Sequence, residues 1–323
     1  MLKFAFRAFV AILLAIALAW WAGPSLLRSD GDMVDPRSEI HAAELDGIIY
    51  VAGGIGFFRT LDSCAAFDVS TEEFLVCPNL PRSLHHVAMA SGEGRVFASG
   101  GYKGLPFRID DQSALFSLDP DSLDPTWQEI SPLPRPRGQH AMVYHSGAVW
   151  LIGGEEDGKA TGSLMRFDLA RKDWQAMAPM PTPRHSHAIA MDGARLFVTG
   201  GRSAALGGQS RVIEVYDFDS NNWSSMPDAP FDLGGHGAAA FNGRLHVFGG
   251  EDFRTGTVLR QHASIDPSDL DAGWREDEAL PFPRHGFATA RVGNTVWIIG
   301  GAKRAGLRTP WSVTGTAFPV SQR

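Results

Sequence analysis

Positive charge and cysteine are both scarce in this chain. It has 323 residues, with 29 Lys and Arg against 36 Asp and Glu, so its formal net charge is -7. Nucleic-acid binding needs a net basic face, and this balance argues against nucleic acid as a main partner. No glycine-rich phosphate loop is present, because the glycine pairs end strand-like runs with no helix after them. The two cysteines, Cys64 and Cys77, leave little material for a cysteine cluster or a thiol nucleophile.

The first 27 residues have the pattern of a targeting segment. Lys3 and Arg7 precede an apolar run over residues 8–27 that is interrupted by Pro24. A short core that ends near Ala19 fits a cleavable signal peptide, whereas the full run fits an uncleaved membrane anchor. No cysteine lies in the segment, which excludes a lipoprotein. Both alternatives predict export, with the rest of the chain periplasmic or held at the membrane outside the cytoplasm, and no other contact with a membrane.

A double glycine recurs six times, each time at the end of a short apolar run. The first glycines of the pairs are Gly53, Gly100, Gly153, Gly200, Gly249 and Gly300, and the steps between them are 47, 53, 47, 49 and 51 residues. A period near 50 residues indicates a repeat architecture, in which one unit predicts the whole fold.

One repeat, residues 183–230, has the marks of four short strands. Asp192-Gly193 separates two apolar segments, the second of which ends at Gly200-Gly201. A third segment ends at Tyr216-Asp217, and a fourth begins at Trp223 after a polar turn. Short strands separated by Gly, Asn and Asp turns predict a four-stranded antiparallel meander.

The other repeats carry the same marks at matching places. Proline-arginine pairs occur at Pro36-Arg37, Pro81-Arg82, Pro136-Arg137, Pro183-Arg184 and Pro283-Arg284. A hydrophobe-aspartate pair ends the third segment at Phe67-Asp68, Leu118-Asp119, Phe167-Asp168, Tyr216-Asp217 and Ile265-Asp266. An aromatic residue follows at Phe74, Trp127, Trp174, Trp223 and Trp274.

Together these marks resemble the kelch repeat over about residues 33–320. The resemblance implies an all-β, six-bladed β-propeller with four-stranded antiparallel blades. It also implies structural roles for the glycines and the tryptophans, with each tryptophan filling the space between neighbouring blades. The motif specifies the fold and leaves the function open.

The last repeat is short, since no fourth segment with its tryptophan follows residues 311–320. We expect the last blade either to stay incomplete or to be closed by the N-terminal segment, roughly residues 24–33. Leu26 and Leu27 cannot both complete a blade and lie in a bilayer. Closure of this kind therefore favours the signal-peptide alternative, and a trimmed last blade favours the anchor.

The two cysteines are predicted to form a disulfide. Cys64 lies in the third strand of the first repeat and Cys77 in the fourth, and a hairpin centred near residues 70–71 sets them opposite each other. Cross-strand neighbours can satisfy disulfide geometry, and export makes oxidation plausible. The alternative is a pair of facing thiols.

Candidate ligand-binding residues lie at one face of the propeller. The first strand of a blade starts, and its second strand ends, at the same face, so the proline-arginine pairs and the loops after the double glycines should meet there. The candidates are Arg82, Arg137, Arg184, Arg202, Glu155, Glu251, Arg254 and Arg284. Guanidinium groups bind carboxylates in a bidentate manner, so such a face suits an acidic ligand.

Histidines also recur near the first strands. They are His41, His85, His86, His140, His185, His187, His236 and His285. A metal site or proton transfer could use them, but we interpret them mainly as structural and expect no metal and no cofactor. Copper oxidases related to galactose oxidase share the kelch-type fold but need tyrosines and a cysteine near the channel. This chain has four tyrosines and places both cysteines in one outer hairpin, so that resemblance fails.

Two functions from different classes remain. The first is an exported binding module that recognises a protein or a glycan through the loops at the propeller mouth. The second is a carbohydrate-active enzyme similar to the kelch-type sialic acid mutarotases, which act on an acidic sugar. An anomerase needs an acid–base pair and an arginine for the carboxylate, grouped within a few ångströms in a concave pocket.

Overall fold

The chain folds as an all-β, six-bladed propeller, as the sequence predicts. The computed structural model describes residues 32–104, 108–110 and 113–320. Five of the six blades are four-stranded sheets, and the sixth has three strands among the described residues. All pairs of neighbouring strands within the blades are antiparallel. In the described part of the chain, no helix combines the length and the apolar character that a membrane crossing requires.

The strand bounds follow the glycine period. Blade 1 comprises Ala43–Leu45, Ile48–Ala52, Cys64–Asp68 and Glu73–Cys77. Blade 2 comprises Ala88–Gly92, Arg95–Ser99, Ala114–Leu118 and Gln128–Pro132. Blade 3 comprises Ala141–His145, Ala148–Ile152, Leu164–Asp168 and Asp173–Ala176. Blade 4 comprises Ala188–Asp192, Arg195–Thr199, Ile213–Asp217 and Asn222–Met226. Blade 5 comprises Gly237–Phe241, Arg244–Phe248, His262–Ile265 and Trp274–Glu276, and blade 6 comprises Ala288–Val292, Thr295–Ile299 and Ala317–Val320.

Short ribbons and single helical turns extend the loops between the blade strands. Four two-stranded ribbons follow the double glycines of blades 2 to 5: Tyr102–Lys103 with Arg108–Ile109, Glu155–Glu156 with Lys159–Ala160, Arg202–Ser203 with Gly208–Gln209, and Glu251–Asp252 with Thr257–Val258. The 3-10 helices are Ala204–Leu206, Leu270–Ala272 and Gly306–Trp311. Ribbons of this kind project from the rigid blades at one face of the ring.

Each double glycine joins its blade to the next one. The N–H of the second glycine donates a hydrogen bond to a carbonyl of the following blade, at 2.7 to 3.0 Å in all six interfaces. The pairs are Gly54 with Leu84, Gly101 with Arg137, Gly154 with Arg184, Gly201 with Leu233, Gly250 with Arg284, and Gly301 with Arg37. The last pair connects blade 6 to blade 1, so the same bond that joins consecutive blades also closes the ring.

The first glycine of each pair is required by the same close approach. At Gly53, φ is +68°, and a Cβ built there would lie 2.3 Å from the carbonyl oxygen of Leu84. Both the left-handed backbone and the short distance exclude a side chain. The blades can therefore pack this closely only where the chain has glycine.

Ring closure does not depend on a fourth strand in blade 6. Besides the Gly301–Arg37 bond, the N–H of Met33 donates to Gly315 O at 3.0 Å, and that of Arg37 donates to Thr314 O at 3.1 Å. Met33 is fully buried against residues of blades 1 and 6. The expected closing segment, residues 24–33, lies outside the described residues except for its last two, and so does the targeting segment 1–27. Both stay predictions.

The hydrophobic core is divided among the interfaces between blades, and the fourth-strand aromatics lie there as expected. Trp223 packs with blade 3, and its indole N–H donates to Ala178 O at 2.8 Å. Trp127 bonds in the same way to Pro78 O at 2.8 Å, and Trp274 to Pro227 O at 3.2 Å. Each tryptophan thus fixes the outer part of its blade to the preceding blade.

The predicted disulfide is present. Cys64 and Cys77 are register partners in the third and fourth strands of blade 1, with Cα atoms 5.2 Å apart. No free cysteine remains in the chain. The bond links the third strand of the blade to the fourth, which is the edge strand. An edge strand has a hydrogen-bonded neighbour strand on one side alone.

Gly53→Ala is expected to destabilise the protein more than Gly47→Ala. Both glycines have positive φ, but a Cβ at Gly47 would have nothing within 4 Å. The shared backbone strain costs about 1 kcal/mol, and the contact with Leu84 O adds roughly 1–3 kcal/mol at Gly53 alone. Urea unfolding of both variants measures the difference. Equal losses would show that the close approach does not hold the blades together.

Removal of the disulfide, as Cys64→Ala with Cys77→Val, is expected to lower the free energy of unfolding by roughly 3 kcal/mol, because the cross-link restricts a short loop of the unfolded chain. Urea unfolding of the wild type with and without a reducing agent provides the control, since both routes should give similar losses. A variant as stable as the oxidised wild type would contradict the expectation.

Candidate functional site

The segment before each first strand pairs with the segment after the double glycine of the same blade. Single bridges join His85 to Tyr102, Gly138 to Glu155, His185 to Arg202, and His285 to Ala302. The two sets of residues that the sequence places at one face therefore do meet there. We call this face the mouth.

One residue from each blade lines the axial cavity just before the first strand of that blade begins. These six residues form what we call the collar: Glu39, His86, Gln139, Ser186, Gly235 and Gly286. All six have φ between 53° and 60°, which is unusual for the four that carry side chains. Backbone N–H groups link neighbours around the collar, with His86 bonded to Glu39 O at 2.9 Å and Ser186 bonded to Gln139 O at 3.1 Å.

Behind the collar lies a cavity of about 350 Å³ on the propeller axis, lined by the first strands of the blades. Its lining combines apolar residues such as Ala141, Met142 and Ala288 with polar ones such as Glu44 and Thr289. His41 also faces this cavity, and its Nδ1 lies 2.9 Å from Val87 O. The collar thus forms the rim of a channel that is lined by both apolar and polar groups.

A chain of ionisable groups crosses the mouth from blade 4 to blade 2. Arg202 donates to Glu251 Oε1 at 2.5 Å. His285 Nδ1 lies 3.7 Å from that oxygen and 3.5 Å from Glu39 Oε1. The other carboxylate oxygen of Glu39 lies 2.9 Å from His86 Nε2. We call these five residues the collar network.

The electrostatics of the collar network favour an ionised Glu39. Burial alone would raise its pKa, but the charge and hydrogen bond of His86, together with His285 and Arg202, hold the pKa of Glu39 well below its ordinary value. The carboxylate is therefore charged at neutral pH, and it lies at the entrance of the axial cavity.

Three of the candidate arginines lie in the interior instead of facing a ligand. Arg137, Arg184 and Arg284 are at most 1% exposed, as is Arg37. Arg284 donates to Gly300 O at 2.5 Å, and Arg184 donates to Glu214 Oε2 at 2.5 Å. Arg137 pairs with Glu156 and donates to Ser163 Oγ at 3.1 Å. Their guanidinium groups are used to join strands within each blade, which the sequence pattern did not reveal.

The remaining candidates differ in their availability. Arg82 is two residues out of register with the other arginines, since Leu84 occupies the matching place, and it pairs with Asp110 Oδ2 at 2.9 Å. The Arg254 side chain is 85% exposed at the tip of the blade 5 ribbon. Glu155 is half-buried beside Tyr102, and burial, together with this carboxylate, raises the pKa of that phenol. Arg202 and Glu251 neutralise each other in the collar network.

The first-strand histidines support the packing between blades. His140 Nε2 lies 2.8 Å from Ser99 Oγ, and His236 Nε2 lies 2.8 Å from Thr199 Oγ1 of the preceding blade. Burial lowers the pKa of His236 to about 3 and that of His140 well below 6.5. Both rings are therefore neutral at physiological pH. Among the described residues, the first-strand histidines do not assemble into a group of three potential metal ligands.

A second concave surface lies at the mouth, on the loop of blade 6. We call it the blade 6 cleft; its volume is about 740 Å³, and its lining residues are Lys303, Arg304, Arg308, Trp311, Ser312, Val313 and Thr314. The Trp311 ring is 57% exposed and packs edge-on against Phe58 of blade 1, with centroids 4.2 Å apart. Lys303 and Arg304 belong to the loop that follows the double glycine of blade 6.

The cations of the blade 6 cleft have no carboxylate partner among the described residues, in contrast to Arg82 and Arg202. Lys303 lies 5.7 Å from the ring centroid of Phe282, which is itself 54% exposed. His285 of the collar network reaches the same loop, with its Nε2 2.9 Å from Arg304 O. The cleft therefore combines uncompensated positive charge with exposed aromatic surface, next to the collar.

Comparisons with known proteins agree with the fold. The family described as the KLHDC2/KLHL20/DRC7 Kelch-repeats domain matches residues 18–201, and the Kelch motif matches residues 183–230. Kelch-like protein 26 of Danio rerio is 28% identical over 125 residues, 39% of this chain and 20% of that protein. Kelch-like protein 40 of Mus musculus is 28% identical over 102 residues, 31% of this chain and 16% of that protein. The alignments thus span about a fifth of the length of these relatives.

The free energy of unfolding is expected to fall as the pH drops from 7 to 5. His236 and His140 stay neutral in the folded protein but take up protons in the unfolded chain below pH 6.5, down to about pH 3 for His236. Each such histidine lowers the free energy of unfolding by up to about 2 kcal/mol at pH 5. Urea unfolding at several pH values measures the slope.

The variant His236→Asn tests whether His236 causes this dependence of the unfolding free energy on pH. It should lower stability at every pH, because the contact with Thr199 changes, while its pH slope should be shallower than that of the wild type. An unchanged slope would mean that His236 is not the source of the proton uptake.

Proposed function

Since the chain belongs to the kelch-repeat family, we propose that it is a binding module that recognises an acidic segment of a partner protein at the mouth of the propeller. The observation that carries this proposal is the blade 6 cleft, where Lys303, Arg304 and Arg308 border the exposed ring of Trp311. Arginine and aromatic residues are enriched in the centres of protein interfaces. The ligand chemistry follows from the charge, since unpaired cations attract carboxylates.

The place of the cleft on the scaffold also supports binding. It is formed by the loop after the double glycine of blade 6, and its Trp311 ring packs against the aromatic pair Phe57 and Phe58 in the corresponding loop of blade 1. Both loops are anchored at the interface where the ring closes, so little ordering is needed when a ligand binds. Loops on a rigid scaffold are the usual location of recognition.

The other arginines of the mouth are less suited to an acidic ligand. The Arg202 guanidinium already pairs with Glu251 and lies 4.7 Å from the ring centroid of Phe253. A ligand carboxylate would have to displace an existing carboxylate there. Because the total charge of the chain is -7, an isolated cationic cleft would also orient an acidic partner toward one place on the surface.

We also propose that the propeller acts outside the cytoplasm. The basic residues and the apolar run of residues 1–27 favour export, either with cleavage or as a membrane anchor. A disulfide between Cys64 and Cys77 agrees with an oxidising compartment. A glycan that carries carboxylates would present similar chemistry to the cleft and is the alternative ligand.

Selection of a random peptide library on the purified propeller is expected to enrich sequences that combine Asp or Glu with an aromatic residue. The charge reversals Arg304→Glu and Arg308→Glu together should weaken the binding of an enriched peptide by about tenfold or more, since two attractive charge pairs become repulsive. Fluorescence anisotropy with the labelled peptide measures the change.

The matched control is Arg171→Glu with Arg195→Glu. These exposed arginines lie at the opposite face, and their reversal changes the net charge by the same amount. The control should leave binding unchanged at physiological salt. Peptides without an acidic bias, or equal losses for both double variants, would overturn the proposal.

A second candidate function, an enzyme acting on an acidic sugar, is favoured by the collar network. It brings an arginine, two carboxylates and two histidines within a few ångströms at the entrance of the axial cavity. Glu39 and His86 could exchange a proton with a sugar hydroxyl. The test is to follow the anomers of N-acetylneuraminic acid and glucuronic acid by NMR with the wild type and Glu39→Gln. Faster equilibration that is lost in the variant would favour the enzyme, and unchanged rates would exclude it for these sugars.

A further inference from the structure

Blade 5 contains a group of metal-type ligands that no other blade has in the described part of the chain. His246 lies on its second strand, His262 on its third, and Asp277 directly follows its fourth. Their nearest ligand atoms converge: His246 Nδ1 lies 2.9 Å from His262 Nε2, and Asp277 Oδ2 lies 3.8 and 3.7 Å from these two nitrogens. We call this group the blade 5 triad.

The structure assigns a divalent transition-metal site, of the zinc class, to His246 Nδ1, His262 Nε2 and Asp277 Oδ2. Two imidazoles and one carboxylate are a common three-ligand set for zinc, with a fourth position left open. Ligands about 2.1 Å from a tetrahedral metal lie about 3.4 Å from one another. The three observed separations lie on both sides of that value, so small side-chain rotations suffice to coordinate an ion.

The orphaned oxygen of Asp277 is an independent sign of a missing ligand. The side chain is 8% exposed, and Oδ2 has no hydrogen-bond partner among the described residues. It points toward two imidazole nitrogens at distances too long for hydrogen bonds. A buried carboxylate oxygen without a donor is costly, and a cation between the three groups would remove that cost.

The surroundings orient two of the three ligands. His262 Nδ1 lies 3.0 Å from Glu278 O, so its N–H donates there and the lone pair of Nε2 faces His246 Nδ1, whose proton a metal ion would replace. Arg275 donates two hydrogen bonds to Asp277 Oδ1, at 2.6 and 2.9 Å, and leaves Oδ2 to the triad. Fixed orientation of the ligands by their outer partners is typical of metal centres.

Comparison among the blades shows that the triad replaces apolar packing. His262 and Asp277 occupy the place of Leu164 and Met177 in blade 3 and of Ile213 and Met226 in blade 4. His246, three residues before its double glycine, stands where the other blades have an aromatic residue: Tyr50, Phe97, Trp150, Phe197 and Trp297. Three polar replacements that converge on one point within a single blade are not needed for the fold, since the other blades pack without them.

The experiment uses the full exported chain purified without a histidine tag and probed with Zn²⁺ alone. Isothermal titration is expected to give one equivalent of tight binding, and the melting temperature should rise with the metal by mass action. Asp277→Asn, which keeps the size of the side chain, should lower the affinity by at least about 100-fold, because loss of even an outer partner costs 10- to 100-fold.

A second variant separates loss of the site from loss of the fold. The triple change His246→Phe, His262→Ile and Asp277→Met installs the residues that blade 4 has at these places. It should fold, since replacement of buried polar groups by packed apolar ones is often neutral or stabilising, and it should bind no zinc. His41→Gln is the matched control, because it removes a channel histidine outside the triad and should leave the affinity unchanged.

The outcomes are decisive in either direction. Zinc binding that is lost in the triple variant and kept in His41→Gln supports the site. Absence of zinc binding by the wild type, or equal binding by the triple variant, overturns it. Loss of binding in His41→Gln alone would place the metal in the channel and also contradict the assignment.

Discussion

The hydrogen bond from the second glycine of each blade to a carbonyl of the next is the constraint on which the rest of this structure depends. It repeats at all six interfaces and includes the one that joins Gly301 to Arg37, so no separate device is needed to close the ring. It also determines where the mouth lies. The chain leaves the double glycine into a mouth loop, and two residues after each accepting carbonyl it reaches the collar. Blade packing and the geometry of the candidate site therefore have one origin.

The buried arginines show how the scaffold uses charge for its own assembly. Arg37 and Arg284 each donate to the carbonyl of the first glycine of their own blade, Gly53 at 2.9 Å and Gly300 at 2.5 Å. Arg184 is paired with the buried Glu214, so its charge is compensated inside the blade. A buried cation is tolerated only where such partners surround it. Recognition at the mouth consequently depends on the cations that the scaffold leaves unpaired, which lie further out on the loops.

The sequence predicted the fold closely because its marks are local and repeated. The glycine pairs, the tryptophans and the hairpin that pairs Cys64 with Cys77 each follow from short-range patterns, and six copies reinforce them. The site was predicted less well. A proline-arginine pair looks the same in sequence whether its guanidinium points inward or outward, so Arg137 and Arg284 were assigned to the mouth although they are buried. The collar could not be recognised in the sequence, because its six residues share a backbone conformation and not a residue type.

Repetition also makes departures from the pattern informative. One place, between the third and fourth strands, holds Leu164 and Met177 in blade 3, the disulfide in blade 1, and His262 with Asp277 in blade 5. The ring bonds are made by the double glycine at the end of the second strand, whereas this place uses side chains of the third and fourth strands, so it can change without loss of those bonds. The edge strand has a hydrogen-bonded neighbour on one side alone. A covalent or metal cross-link to the third strand therefore stabilises it more than it would stabilise an inner strand. The ring bonds are the same in every blade, whereas the outer strands vary. This one repeated place can therefore carry cross-links of different chemistry in different blades.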